Sequence, residues 1–145
     1  MSLDGAYDPD NIFAKILRGE APCFKVFEDD VALAFLDIFP RSTGHTLVIP
    51  KHGARNLFEL PGEMIGPYMQ RVQTVADGVR RALAPDGVML VQFNGAPAGQ
   101  TVFHLHFHII PRFEGEMLFA EGKSPKADLD AMAGLAAGLS AAIEA

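Results

Sequence analysis

Three of the chain's five histidines stand at alternate positions in His104-Leu105-His106-Phe107-His108. In a β-strand alternate residues share a face. The segment from Thr101 to Pro111 reads as strand, so its imidazoles are expected side by side, about 6.6–6.8 Å apart. Leu105, Phe107 and Ile109 then turn to the core. A neutral imidazole, with a reference pKa of about 6.5, can attack an electrophile, hydrogen-bond a leaving group or ligate a metal. On these residues alone three readings stay open: an exposed polar sheet face, a metal site and a nucleophilic site.

The residues just upstream favour an anion. Asn94-Gly95-Ala96-Pro97-Ala98-Gly99 is a loop of small residues. Such loops let backbone N–H groups approach a phosphate closely. Gly99, Gln100 and Thr101 are candidate donors beside the histidines. A Gly-rich loop is a weak signal by itself, and next to three histidines it points to phosphate more than to metal.

The elements that must position these residues follow from pattern. Asp10 is a candidate N-cap for a short helix over 11–18, with Ile12, Phe13 and Ile16 as its apolar face and Gly19 as its stop. Strands are expected over 24–27, 31–37 and 43–50, with turns at Glu28-Asp29-Asp30 and Phe39-Pro40-Arg41-Ser42. In the third strand His45, Leu47 and Ile49 share one face, and Thr46 and Val48 the other. Pro61 opens a long helix at its first position. That helix carries the stripe Met64, Tyr68, Val72, Val75, Val79 and Leu83, and Gly66-Pro67 should set a first turn or a kink. It should end near Ala84-Pro85-Asp86-Gly87. A fourth strand over 88–93 precedes the loop and the histidine strand. A last Ala-rich helix spans about 126–143. The order α-β-β-β-α-β-β-α predicts an α+β fold: a five-stranded antiparallel sheet with helices packed on it. We expect a single domain over 1–145, with a core at about 10–112 and a C-terminal extension.

Composition narrows the function classes. A formal net charge of −6 argues against non-specific nucleic-acid binding, which needs clustered Lys and Arg. No apolar run approaches the roughly 20 residues of a membrane span, and no signal peptide is apparent. The lone Cys23 excludes an internal disulfide and reads as a partly buried small hydrophobe. It fits a reducing, cytoplasmic compartment.

With these motifs in place, the chain resembles the histidine triad (HIT) family. The family signature of histidines alternating with apolar residues stands here as His104-Leu105-His106-Phe107-His108-Ile109-Ile110. The resemblance extends through Gly99 to Phe103, Pro111-Arg112, Asp37-Ile38-Phe39-Pro40 and Gly44 to Lys51. Ile12 to Ile16, Gly19 to Pro22 and Glu28 to Asp30 look like the Hint branch in particular. The resemblance implies a nucleoside phosphoramidase or dinucleoside polyphosphate hydrolase that works without a cofactor. It implies that His106 is the nucleophile taking a nucleoside monophosphoryl group, that His108 meets the phosphate and leaving group, and that His104 and His45 brace the site. It further implies that Asp37 holds the ribose hydroxyls and that Ile12, Phe13, Ile16, Phe35 and Ile38 form the purine slot. Asn94, Gly99 and Thr101 would lie near the phosphate. Hint relatives are usually homodimers that pair two such sheets.

The chain departs from the family in one respect. Some bacterial relatives hold a structural zinc with two cysteines near the first helix and two histidines. The corresponding cysteine positions here are Asn11 and Ala14, which supply no thiolate. His52 and His104 remain, and two ligands do not make such a site, so no metal is expected. His52 reads as a surface loop residue. Two rivals remain beside the enzyme reading: a non-catalytic purine-nucleotide-binding or scaffold protein on the same fold, and a metalloprotein using the three histidines.

Overall fold

The computed structural model describes residues 3–145; Met1 and Ser2 lie outside the described residues. The described elements are α1 (Ile12–Leu17), β1 (Lys25–Glu28), β2 (Ala32–Leu36), β3 (Thr46–Pro50), α2 (Gly62–Leu83), β4 (Gly87–Val91), β5 (Phe107–Arg112) and α3 (Leu129–Glu144). Short 3-10 turns occur at Leu57–Glu59 and Ala96–Ala98. The strands form one antiparallel sheet in the order β1-β2-β3-β5-β4, an α+β architecture.

The sheet separates two apolar layers. On one face Val48, Leu105 and Ile109 pack with Tyr68, Val72, Val75 and Val79 of α2 and with Met132, Leu139 and Ile143 of α3. The expected α2 stripe is therefore the buried one. The buried Tyr68 hydroxyl donates to the Val48 carbonyl at 2.7 Å, which satisfies the one polar atom its ring brings into this layer. Gly78 lets α2 and α3 approach closely, since a Cβ there would lie 2.9 Å from Ile143 Cα. On the other face Phe13 of α1 joins Leu33, Phe35, Leu47 and Ile49 in a smaller cluster.

Several boundaries differ from the sequence expectation for identifiable reasons. Asn11, not Asp10, caps α1, and its side chain accepts from Ala14 N–H at 2.9 Å. Pro61 is the N-cap of α2, one residue before the first helical position. Pro67 does not break α2, which runs on to Leu83. Gly62, Glu63, Gly66 and Pro67 are all exposed, so the carbonyl that loses its partner at Pro67 faces water. The helix ends where Ala84 takes a left-handed conformation, φ 48°, just before Pro85. The last helix begins at Leu129, behind the cap Asp128.

The largest difference concerns the fifth strand. It begins at Phe107, not Thr101, and pairs with β3 only through Phe107, His108 and Ile109. Upstream the chain leaves the ladder, and Leu105 N–H donates to the Ala54 carbonyl at 2.8 Å instead. His104 and His106 thus sit on irregular backbone. The in–out alternation survives all the same. Leu105 and Ile109 belong to the helix-covered core, while the histidines stay on the opposite side.

Candidate active site

His45, His104, His106 and His108 are each buried to 6% exposure or less. His108 comes from β5 and His45 from the residue before β3. His106 lies between Phe13, whose ring meets it edge-on at 4.9 Å between centroids, and His108, also at 4.9 Å. Phe93 adds a ring 5.4 Å from His108. This dry setting depresses every imidazole. Burial alone lowers His106, and with neighbouring charge it holds His104 at about 4, His45 at about 3 and His108 at about 2. The Arg41 guanidinium adds to the lowering at His45 and His108. At neutral pH all four rings are neutral, each carrying one N–H and one lone pair.

The hydrogen bonds fix which nitrogen carries the proton. A carbonyl only accepts. His104 Nε2 lies 2.8 Å from the Pro50 carbonyl, and His106 Nδ1 lies 2.7 Å from the His104 carbonyl. His104 is therefore protonated at Nε2 and His106 at Nδ1, which leaves the lone pair of His106 on Nε2. A second chain starts from the backbone. Arg41 N–H donates to His45 Nδ1 at 3.0 Å, so His45 Nε2 carries its proton and donates to His108 Nδ1 at 2.9 Å. His108 then presents Nε2–H. One ring offers a nucleophile and its neighbour a donor, and both assignments end on main-chain groups.

Asp37 follows β2. Its Oδ1 accepts from Phe39 N–H at 2.8 Å and its Oδ2 lies 3.7 Å from His45 Nε2. Burial raises this carboxyl to about 6 despite the Phe39 bond. Donor atoms of Asp37, His45 and His108 fall within 4.8 Å of one another. A metal there would need the His45 Nε2 lone pair, which the Arg41 contact denies to a neutral ring. The zinc position of some bacterial relatives fits no better. The Asn11 side-chain oxygen accepts from Ala14 N–H, His52 is exposed, and both ring nitrogens of His104 are hydrogen-bonded.

The remaining candidates divide. Phe13 and Phe35 are buried together, rings 5.4 Å apart, with Ile16 against them. Ile12, the residue before Phe13, is 47% exposed. Ile38 packs instead against the helix-covered cluster. Asn94 accepts from Leu57 N–H and is bonded to Gln92. Gly99 closes a 3-10 turn at φ 113°, and its N–H donates to the Ala96 carbonyl. Thr101 is exposed at the loop's end. Gln100 is engaged within the loop. Its side chain accepts from Gly95 N–H and donates to the Arg55 and Val102 carbonyls, and its own N–H goes to Gly95. With all these groups engaged it braces the loop. Sequence reasoning missed Phe93, the Arg41 N–H and Tyr7, whose hydroxyl lies 2.6 Å from His104 Nδ1. None carries a periodic or motif signal, and Tyr7 is 97 positions away from its partner.

Comparison with known proteins decides the family. The HIT domain model matches residues 18–115. The chain belongs to the HIT family. It is 43% identical over 111 residues to adenylylsulfatase HINT3 of Arabidopsis thaliana, covering 77% of this chain and 56% of that protein, so this chain spans little more than half of HINT3. It is 45% identical over 101 residues to adenosine 5'-monophosphoramidase hnt1 of Schizosaccharomyces pombe, covering 70% and 73% of the two chains. Among solved structures, a Hit-like protein from Bartonella henselae superposes with a TM-score of 0.89 at 46% identity, over 95% of this HIT chain and 99% of that one. A zinc-bound histidine triad protein from Mycobacterium smegmatis superposes at 0.79 and 34% identity, over 93% and 94%. Among the described residues no helix is long and apolar enough to cross a membrane.

Proposed function

We propose that this HIT protein is a nucleotide hydrolase or transferase that cleaves a nucleoside monophosphoryl group from a P–N or P–O leaving group through a nucleotidyl-His106 intermediate. The observation that carries the reading is the 2.7 Å contact of His106 Nδ1 with the His104 carbonyl, which leaves the Nε2 lone pair for attack. The Nε2–P bond forms as the P–N or P–O bond breaks. The ring gains positive charge, and Nδ1–H shares it with the carbonyl. The leaving atom departs with the bonding electrons, met by Nε2–H of His108. Water oxygen then bonds phosphorus as the Nε2–P bond breaks, its proton replaces the one that His108 gave to the leaving atom, and the His106 ring recovers its lone pair. Two easier displacements replace one hard one, in a site whose dipoles are already in place.

The same reading gives Asp37 the ribose hydroxyls, which its carboxylate accepts when ionised, above about pH 6. It gives the purine to the slot formed by Ile12, Phe13, Ile16 and Phe35. The name of the fission yeast relative favours a phosphoramidate and that of the plant relative an adenylyl sulfate. A homodimer in the cytoplasm accords with the reading. The edge strand β4 leaves Leu90 half exposed beside an open cleft of about 690 Å³ against α2.

The test is turnover of a fluorogenic adenosine phosphoramidate, with chelator, by wild type and His106→Ala. The variant should lose at least about a thousandfold in kcat while still binding adenosine monophosphate. Full activity in the variant overturns the role of His106. An inactive wild type that binds the nucleotide tightly turns the reading to a binding protein on the same site.

A further inference from the structure

Residues 3–7 lie along the loop after β3. Asn56 Nδ2 donates to the Leu3 carbonyl at 2.9 Å, and the Arg55 guanidinium reaches the Ala6 carbonyl at 3.5 Å. This anchoring sets Tyr7 over Gly53 and against His104. The ring sits so close to Gly53 that a Cβ there would lie 3.0 Å from Tyr7 Cε2. The Tyr7 and His104 rings meet at a steep angle, 67°, with centroids 5.6 Å apart. Since His104 Nε2–H is committed to the Pro50 carbonyl, Nδ1 is an acceptor, and the Tyr7 hydroxyl donates to it at 2.6 Å.

We propose that Tyr7 is a positioning residue for the reaction at His106, acting through His104. A ring bonded at both nitrogens cannot turn over without putting carbon where each partner expects nitrogen. Tyr7 and Pro50 therefore lock the His104 ring from opposite sides. The His104 carbonyl is the acceptor that holds the His106 proton on Nδ1. A locked His104 thus keeps the His106 lone pair on Nε2. Tyr7 closes a line from the N-terminal segment to the nucleophile: Tyr7 O–H, the His104 ring, the His104 carbonyl, His106 Nδ1–H. It takes the His104 nitrogen that a metal would otherwise need, on a protein whose Asn11 and Ala14 offer no thiolate. The residue lies outside the stretch matched by the family model, which begins at residue 18.

The inference rests on His106 as the nucleophile, and its test separates the two claims. Tyr7→Phe keeps the ring and removes the hydroxyl. Loss of this bond should lower kcat about tenfold, one hydrogen bond's worth, with KM changed less than about twofold. In nitrogen-15 NMR spectra, Nδ1 of His104 should shift and the Nδ1–H signal of His106 should weaken or broaden through tautomer exchange. Gly53→Ala is the graded control, with the hydroxyl present and the ring pushed outward. It should move the same signals in the same direction by less, and it serves alone if Tyr7→Phe does not fold. Unchanged imidazole signals in a folded Tyr7→Phe overturn the proposal, whatever happens to kcat. A wild type without turnover removes the nucleophile reading only, and the NMR signals then decide Tyr7 by themselves.

Discussion

On the helix-covered face of the sheet, Val48, Leu105 and Ile109 are held by Tyr68, Val72 and Leu139; on the opposite face His45, His104, His106 and His108 are nearly as dry. The six residues 104–109 feed both faces by turns. The apolar face is held by many small contacts, none decisive, and adjusts as neighbours shift. The histidine face is held by a few directed bonds that end on the Pro50 and His104 carbonyls and the Arg41 N–H. Removing one donor there leaves a buried acceptor bare. The first face holds the fold together, and the second fixes the His106 proton on Nδ1.

Acid should break the histidine face first, with the largest effect. All four buried imidazoles have folded pKa values below 6.5, so the unfolded chain binds protons that the folded chain refuses. Their contribution is complete above pH 6.5 and is lost as pH falls through the window toward about 4 at His104 and about 2 at His108. Asp37, raised to about 6, has the opposite sign: folded, it takes up a proton between about 6 and 3.8. His45, His104 and His108 set against Asp37 leave a net of about two protons' worth, or about 3 kcal/mol per pH unit near pH 5, and His106 adds in the same direction. Urea denaturation between pH 5 and 7.5 reads this directly. A flat profile would mean that the rings already share protons when folded.

The apolar face is tested by Leu105→Ala, which empties a fully buried site between two histidines. We expect a loss of about 2–5 kcal/mol, read from the denaturant midpoint. The folded fraction should keep kcat within a few-fold, because the flanking bonds end on main-chain carbonyls. A collapse of kcat in step with stability would show the two faces to be one unit.

Which parts of this division were legible in the sequence depends on the kind of interaction. The alternation of His104 to Ile109 announced both faces, and the α2 stripe from Tyr68 to Val79 announced the layer that covers one of them. Side-chain type and period carry such information. Where the strand began was not legible, because Leu105 leaves the ladder for the Ala54 carbonyl, a main-chain choice without a residue signature. Nor could type and period show that Gln100 would spend itself on Gly95, Arg55 and Val102, or that Tyr7 would reach His104. Directed bonds between distant segments need the folded chain.

The smallest effect tests the seam between the faces. Helix α1 has only six residues, too few to stand alone. It is kept by the packing of Phe13 and Ala14 and by the Asn11 cap on Ala14 N–H. Asn11→Ala should cost about 1 kcal/mol, measurable as a lower denaturant midpoint. Fraying α1 frees the Phe13 edge from His106 and opens the apolar slot, so KM for an adenosine phosphoramidate should rise by up to about fivefold, the equivalent of that energy. The kcat should hold, since the His106 proton is kept by the His104 carbonyl and not by α1. If kcat falls as far as KM rises, the aromatic contact positions the nucleophile as well, and packing shares the work assigned here to directed bonds.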